Sequence, residues 1–164
     1  MDARRLFEQH HGALYRYLVR LTGDEDVAED AAQETFVRLI SRPPRNEHPR
    51  AWLFAVATNL VRSWANSRKR RHALLVGAGT RAPSADPWPT PIESIEASER
   101  REAVRRALDD LSDKERVILL MREEGFSHKE IAGAIGTTTG SVGTMIARAL
   151  DKLAGALPLD ADAL

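Results

Sequence analysis

The sequence has no cysteine in 164 residues. Disulfides, thiolate zinc sites and a cysteine nucleophile are therefore excluded, and a reducing compartment is allowed. It has no net charge, with 24 Lys and Arg against 24 Asp and Glu. No apolar run approaches the roughly 20 residues that cross a bilayer. Met1-Asp2-Ala3-Arg4-Arg5 leads straight into an amphipathic pattern, with no secretory apolar stretch. A cytoplasmic protein without direct membrane insertion is expected. Metal-ligand spacing is missing as well. His10 and His11 point about 100° apart on a helix, and His48, His72 and His128 have no ligand partner at useful spacing. No nucleophile–base pair is present, so no catalytic residue, metal, cofactor or enzymatic turnover is expected.

What is present is charge sorted by position. Residues 24–34 hold six acids and no base: Asp24, Glu25, Asp26, Glu29, Asp30 and Glu34. Residues 38–71 hold nine bases and one acid, Glu47, and the bases end in the run Arg68-Lys69-Arg70-Arg71. Four adjacent cations repel one another unless an anionic partner offsets them. Zero net charge thus hides two faces suited to different partners.

Apolar periodicity predicts an all-α protein of two small domains. A first helix over 3–22 carries Phe7, Leu14, Leu18 and Leu21 and stops at Gly23. A second over 24–41 carries Ala28, Ala31, Ala32, Thr35, Phe36, Leu39 and Ile40, and ends before Pro43-Pro44. A third starts at Pro49, carries Leu53, Val56, Ala57, Leu60, Val61 and Trp64, and runs to about residue 71. Trp52 and Phe54 read as core, while Trp64 fits core or DNA equally. Six Gly and Pro residues between 77 and 91 mark a linker. The expected division is 1–72, linker 73–91, second domain 92–157 and tail 158–164.

In the second domain a helix over 92–110 turns Val104, Ala107, Leu108 and then Leu111 inward. Ser112…Glu115 and Ser127…Glu130 read as capping boxes, closed by Gly125 and Gly136. Residues 128–147 read as helix-turn-helix. Ala132 sits at a close helix crossing, Gly136 takes the turn, and Val142 plugs the second helix into the first. Ile131, Ile135, Val142 and Met145 form the expected seam. The second helix has only Arg148 and Lys152 as cations, and residues 72–164 carry eleven bases against fifteen acids. Duplex affinity comes largely from neutralised phosphates, so this domain reads DNA only weakly by itself.

Val27-Ala28-Glu29-Asp30-Ala31-Ala32-Gln33-Glu34-Thr35-Phe36 resembles the region 2 signature D-A-E-D-L-V-Q-E-T-F of extracytoplasmic-function (ECF) sigma factors, in the sigma-70 family. Trp52 to Leu60 resembles that family's W-L-[YF]-x-I-A-x-N-L, again followed by a basic run. Leu111 to Leu120, and Gly140, Val142, Arg148, Ala149 and Leu153, resemble region 4.

The resemblance implies a factor that gives RNA polymerase its promoter specificity. Asp30, Gln33 and Glu34 would then meet the β′ clamp helices of core RNA polymerase. Asn46, Glu47 and His48 would form a pocket for a base flipped from the −10 element. Asn59, Arg62, Ser63 and Asn66 would line the DNA face, with Arg68, Lys69, Arg70 and Arg71 on phosphate. Thr138, Thr139, Ser141, Gly143, Thr144, Ala147 and Arg148 would meet the −35 element beside the β flap. Promoter DNA, core polymerase and an anti-sigma factor are the implied partners.

The chain departs from the family pattern at three positions. Ser63 replaces a frequent aspartate, and Gly143 and Met145 replace expected cations. Gly143 costs about 1 kcal/mol of helix stability relative to alanine. Two alternatives remain. A sigma mimic would occupy an anti-sigma factor without reading promoters. A response-regulator output domain would need an upstream βα domain, but residues 1–72 show no strand pattern.

Overall fold

The computed structural model describes residues 2–45, 48–75 and 95–156. All its regular elements are α-helices: α1 Ala3–Thr22, α2 Glu25–Ser41, α3 Pro49–Leu75, α4 Ile95–Asp109, α5 Asp113–Glu123, α6 His128–Ile135 and α7 Thr139–Ala156. The chain divides into two compact units, Met1–Pro87 and Trp88–Leu164. Most of the expected linker and the tail lie outside the described residues.

Polar caps set the helix starts in the first unit. The Asp2 carboxylate accepts from the Arg4 and Arg5 amides, and Asp24 accepts from Asp26 and Val27 at 2.9 and 3.0 Å. Gly23 ends α1 at φ 69°. The fully buried Ala28, Ala31 and Ala32 form the inner line of α2, where small side chains let helices approach closely. Leu14, Leu18, Leu39, Leu53, Phe54 and Ala57 complete this core.

A buried polar contact joins α1 to α3. The Thr58 hydroxyl donates to the Phe54 carbonyl at 2.7 Å and lies 2.7 Å from the Tyr17 hydroxyl. Thr58 has one proton to give, so Tyr17 donates to Thr58. The Tyr17 ring lies against Phe54 at 5.0 Å, and the Arg50 guanidinium stands 5.4 Å over the same Phe54 ring.

Two apolar residues expected in this core lie outside it. Ile40 is 70% exposed, because it falls one helical step (about 100°) beyond Leu39 and outside the arc that α2 buries. Phe7 is partly exposed, stacking on His11 and meeting Phe36 edge-on at 4.9 Å, while Leu6 takes the buried position.

In the second unit both capping boxes form. Ser112 and Glu115, and Ser127 and Glu130, exchange reciprocal bonds at 2.8–3.2 Å. Arg116 donates to the Leu108 carbonyl and so caps the end of α4. Ala107 and Leu111 are buried, but Val104 and Leu108 on either side are exposed, because α4 meets its neighbours along a narrower line than its periodicity suggests. Phe126 is an additional core residue.

Tyr17→Phe removes the donor to Thr58 without changing shape. It should lower the unfolding free energy of the full chain by about 1 kcal/mol, read by urea unfolding at unchanged helix content. An unaltered urea midpoint would show that the bond adds nothing.

Candidate nucleic-acid interface

The burial of one half of α3 decides what its other half presents. Leu53, Phe54, Ala57, Thr58 and Leu60 face inward. Asn59, Arg62, Ser63, Asn66 and Arg70 follow at i, i+3, i+4, i+7 and i+11, which makes one outward stripe. All but Arg62 are exposed, and Arg62 is half-buried. Arg68 is exposed, about 160° around the helix from Arg70. Lys69 and Arg71 lie on the same helix. Across its 27 residues α3 carries no Asp or Glu, so no carboxylate on this helix offsets its cations.

Trp52, expected in the core, is half-buried toward the outward stripe, and Trp64 is also half-buried. His48 is exposed at the start of α3, where its carbonyl accepts from the Trp52 amide at 3.2 Å. Asn46 and Glu47 lie outside the described residues.

The outer face of α2 is of another kind. Asp26, Asp30, Gln33, Glu34, Val37 and Ile40 share one side of the helix. Gln33 donates to Glu29 at 3.0 Å, and Arg38 pairs with Glu34 at 2.8 Å. Asp30 and Gln33 are exposed, while Glu34 is half-buried. The acidic stripe runs into two exposed apolar side chains, Val37 at 55% and Ile40 at 70%. Reasoning from sequence missed Val37 as a surface residue. Its spacing of three and four residues from Glu34 and Gln33 was the available signal.

In the second unit α6 and α7 form the helix-turn-helix. Gly136 adopts φ 70° and its amide donates to the Ala132 carbonyl, a turn that a side chain would strain. Ala132 and Val142 are buried as expected. Ile146, not Met145, completes the seam, because Val142, Ile146 and Ala149 follow at i, i+4 and i+7.

Opposite this seam Gly140, Gly143, Thr144, Ala147 and Arg148 form the outer stripe of α7, with Thr138 and Thr139 exposed at its start. The Thr138 hydroxyl accepts from the Ser141 amide and lies 2.8 Å from the Ser141 hydroxyl. Thr144 donates to the Gly140 carbonyl at 3.4 Å. These hydroxyls therefore cap and brace the helix. Gly143 is not enforced by crowding, since a methyl group there would meet only the His128 ring, at 3.9 Å.

Lys152 does structural work. Its ammonium sits 2.9 and 2.8 Å from the two carboxylate oxygens of Glu115, which is 8% exposed. The Lys152 ammonium first, and the Ser112 amide second, hold the Glu115 carboxyl below the usual glutamate range despite its burial. One carboxylate thus caps α5 and ties it to α7.

Two all-helical units, one with a cationic helix beside an acidic one and the other with a helix-turn-helix, define a helix-turn-helix protein with separate cationic and acidic faces. Sigma-70 region 2 matches residues 6–71, and Sigma-70, region 4 matches residues 101–153. The chain is 32% identical over 144 residues to the ECF RNA polymerase sigma factor SigL of Mycobacterium tuberculosis, covering 85% of this chain and 79% of that one. It is 31% identical over 153 residues to EcfG of Rhodopseudomonas palustris, covering 90% and 81%. The chain belongs to the ECF sigma factors of the sigma-70 family.

The sigma factor RpoE of Bartonella quintana, solved with the anti-sigma factor NepR, shares the fold at TM-score 0.79 and 23% identity, over 96% of this chain and 97% of that one. The PhyRSL–NepR complex of Sphingomonas sp. Fr1 matches at TM-score 0.67 and 25% identity, over 98% and 92%. Among the described residues no helix is long and apolar enough to cross a membrane, and no three potential metal ligands cluster.

The depressed Glu115 pKa sets a sign for acid stability. Ionised Glu115 favours the folded state above the unfolded glutamate pKa of about 4.3, and this contribution is lost as pH falls through the folded value. Glu115→Gln should cost about 2 kcal/mol at pH 7 and progressively less in acid, read as unfolding midpoints against pH. A cost that stays the same at low pH would exclude the ion pair as its source.

Proposed function

We propose that this chain directs core RNA polymerase to a defined set of promoters, opening DNA at the −10 element and reading the −35 element. The observation that carries the reading is α3: 27 residues without a carboxylate, rotated so that polar and cationic side chains form one outward stripe. Such a surface suits phosphate and unpaired bases.

In this reading Asp30, Gln33 and Glu34, continued by Val37 and Ile40, meet the β′ clamp helices. The loop bearing Asn46, Glu47 and His48 receives a base extruded from the non-template strand. Unstacking that base costs a few kcal/mol, which a fitted pocket partly offsets. Asn59, Arg62, Ser63 and Asn66 follow the strand, and Arg68 to Arg71 neutralise phosphates. The helix-turn-helix reaches the −35 element beside the β flap through Thr138, Thr139, Ser141, Gly143, Thr144, Ala147 and Arg148.

The polymerase performs the chemistry, and the chain itself turns over no substrate. An anti-sigma factor is a further proposed partner, supported by the similar RpoE and PhyRSL structures, both complexed with NepR. The proposed location is the cytoplasm, where polymerase is. The scarcity of cations on α7 favours a second reading, a sigma mimic that sequesters an anti-sigma factor without reading promoters.

Run-off transcription with core polymerase over promoters selected from random DNA separates the two. The proposal expects discrete transcripts from a shared motif. A chain that binds an anti-sigma factor yet gives no transcript from any selected template is a mimic. Changing Arg68, Lys69, Arg70 and Arg71 to glutamine should also flatten the salt dependence of holoenzyme–promoter binding. With about 0.7 per single-strand phosphate, the log–log slope should fall by roughly 3. An unchanged slope would remove this cluster from the DNA.

A further inference from the structure

We propose that His128 is a −35 DNA contact that takes the place of the side chain Gly143 lacks; this rests on the proposed reading of the helix-turn-helix. His128 is the first residue of α6 and is exposed. Its ring lies beside the outer stripe of α7: a methyl group on Gly143 would sit 3.9 Å from its Cε1 and 4.0 Å from its Nδ1. Gly143 has no side chain, yet it is only half-exposed.

The stripe around it offers little to DNA. Gly140 and Ala147 have no polar side chain, and the Thr144 hydroxyl donates to its own helix. Lys152 is held by Glu115. An imidazole placed from the neighbouring helix adds a hydrogen-bonding group midway along a stripe whose polar side chains are otherwise Thr144 and Arg148. It does so at the height on α7 where a side chain of residue 143 would begin. The first helix of the motif thereby contributes to reading as well as to support. The acceptor is a phosphate oxygen or a purine ring nitrogen, which share the same donor chemistry.

The experiment uses holoenzyme reconstituted from core polymerase and the full chain, on two fragments of one selected promoter, with and without its −35 element. His128→Ala should weaken binding about ten-fold on the complete fragment and leave binding to the shorter one unchanged. In the double variant His128→Ala, Gly143→Arg, an arginine grown from α7 into the same space should restore most of the lost affinity.

Base-pair substitutions across the −35 element separate the two acceptors. A phosphate contact loses affinity equally on every sequence, and a base contact loses discrimination at one pair. The inference is overturned if His128→Ala binds the complete fragment as tightly as the parent, or weakens both fragments equally. If the parent forms no holoenzyme, or binds both fragments alike, the proposed function fails instead.

Discussion

The rotation of α3 about its own axis is the constraint on which the first unit turns. An amphipathic helix without a sharp apolar–polar boundary can pack in more than one rotation, and α3 is such a helix: apolar, hydroxyl and cationic side chains alternate along it. The Tyr17–Thr58 hydrogen bond removes that freedom. Both groups are buried, so a rotation that separated them would break this hydrogen bond and cost about 1 kcal/mol. With Thr58 held inward, Asn59, Arg62, Ser63, Asn66 and Arg70 have only the outward side left. One interior bond therefore sets which residues a nucleic acid can meet.

That arrangement explains how a chain of zero net charge can present a strongly charged surface. The six acids at 24–34 and the bases of 50–71 sit on different helices of one small unit. Electrostatic fields fall off within about 10 Å at physiological salt. An approaching polyanion near α3 therefore responds to the local excess and not to the sum over the chain. In the second unit the balance goes the other way. Lys152 is committed to Glu115, and Arg148 is the cation on the outer stripe of α7. In the proposed function, a reader so short of phosphate contacts gains its effective affinity from being tethered to a unit that holds the same DNA.

Legibility from sequence followed the range of the interaction involved. Both capping boxes and the Gly136 turn are local, and each was readable from residues within four positions. The spacing of Ala132, Gly136 and Val142 was readable for the same reason. What escaped depends on partners distant in sequence. Ile40 and Val104 carry the right periodicity, but no neighbouring helix covers them. Ile146 displaces Met145 because the true contact line on α7 was fixed by packing against α6. The tie of Lys152 to Glu115 spans 37 residues, whereas the mutual cap of Thr138 and Ser141 is local and turns two expected DNA donors into structural parts. Asn46 and Glu47, expected at the flipped-base pocket, lie outside the described residues.

The two glycines on the outer stripe of α7, Gly140 and Gly143, sharpen the same point. Each lowers helix stability by about 1 kcal/mol relative to alanine. Neither is crowded: a side chain at Gly140 would meet open space and one at Gly143 would meet only the His128 ring. Packing within the unit therefore does not require them. In the proposed function they leave an outer stripe of short side chains, bordered at residue 143 by the His128 ring, where the helix comes nearer to a groove floor than a lysine or arginine on α7 itself would allow. A close approach replaces long-range charge with shape and short hydrogen bonds, interactions that are weak alone and selective once another surface has fixed the register. In the proposed function, a strong, unselective grip on α3 and a weak, close-range reading on α7 are complementary solutions to one problem: locating a short sequence without binding all DNA equally.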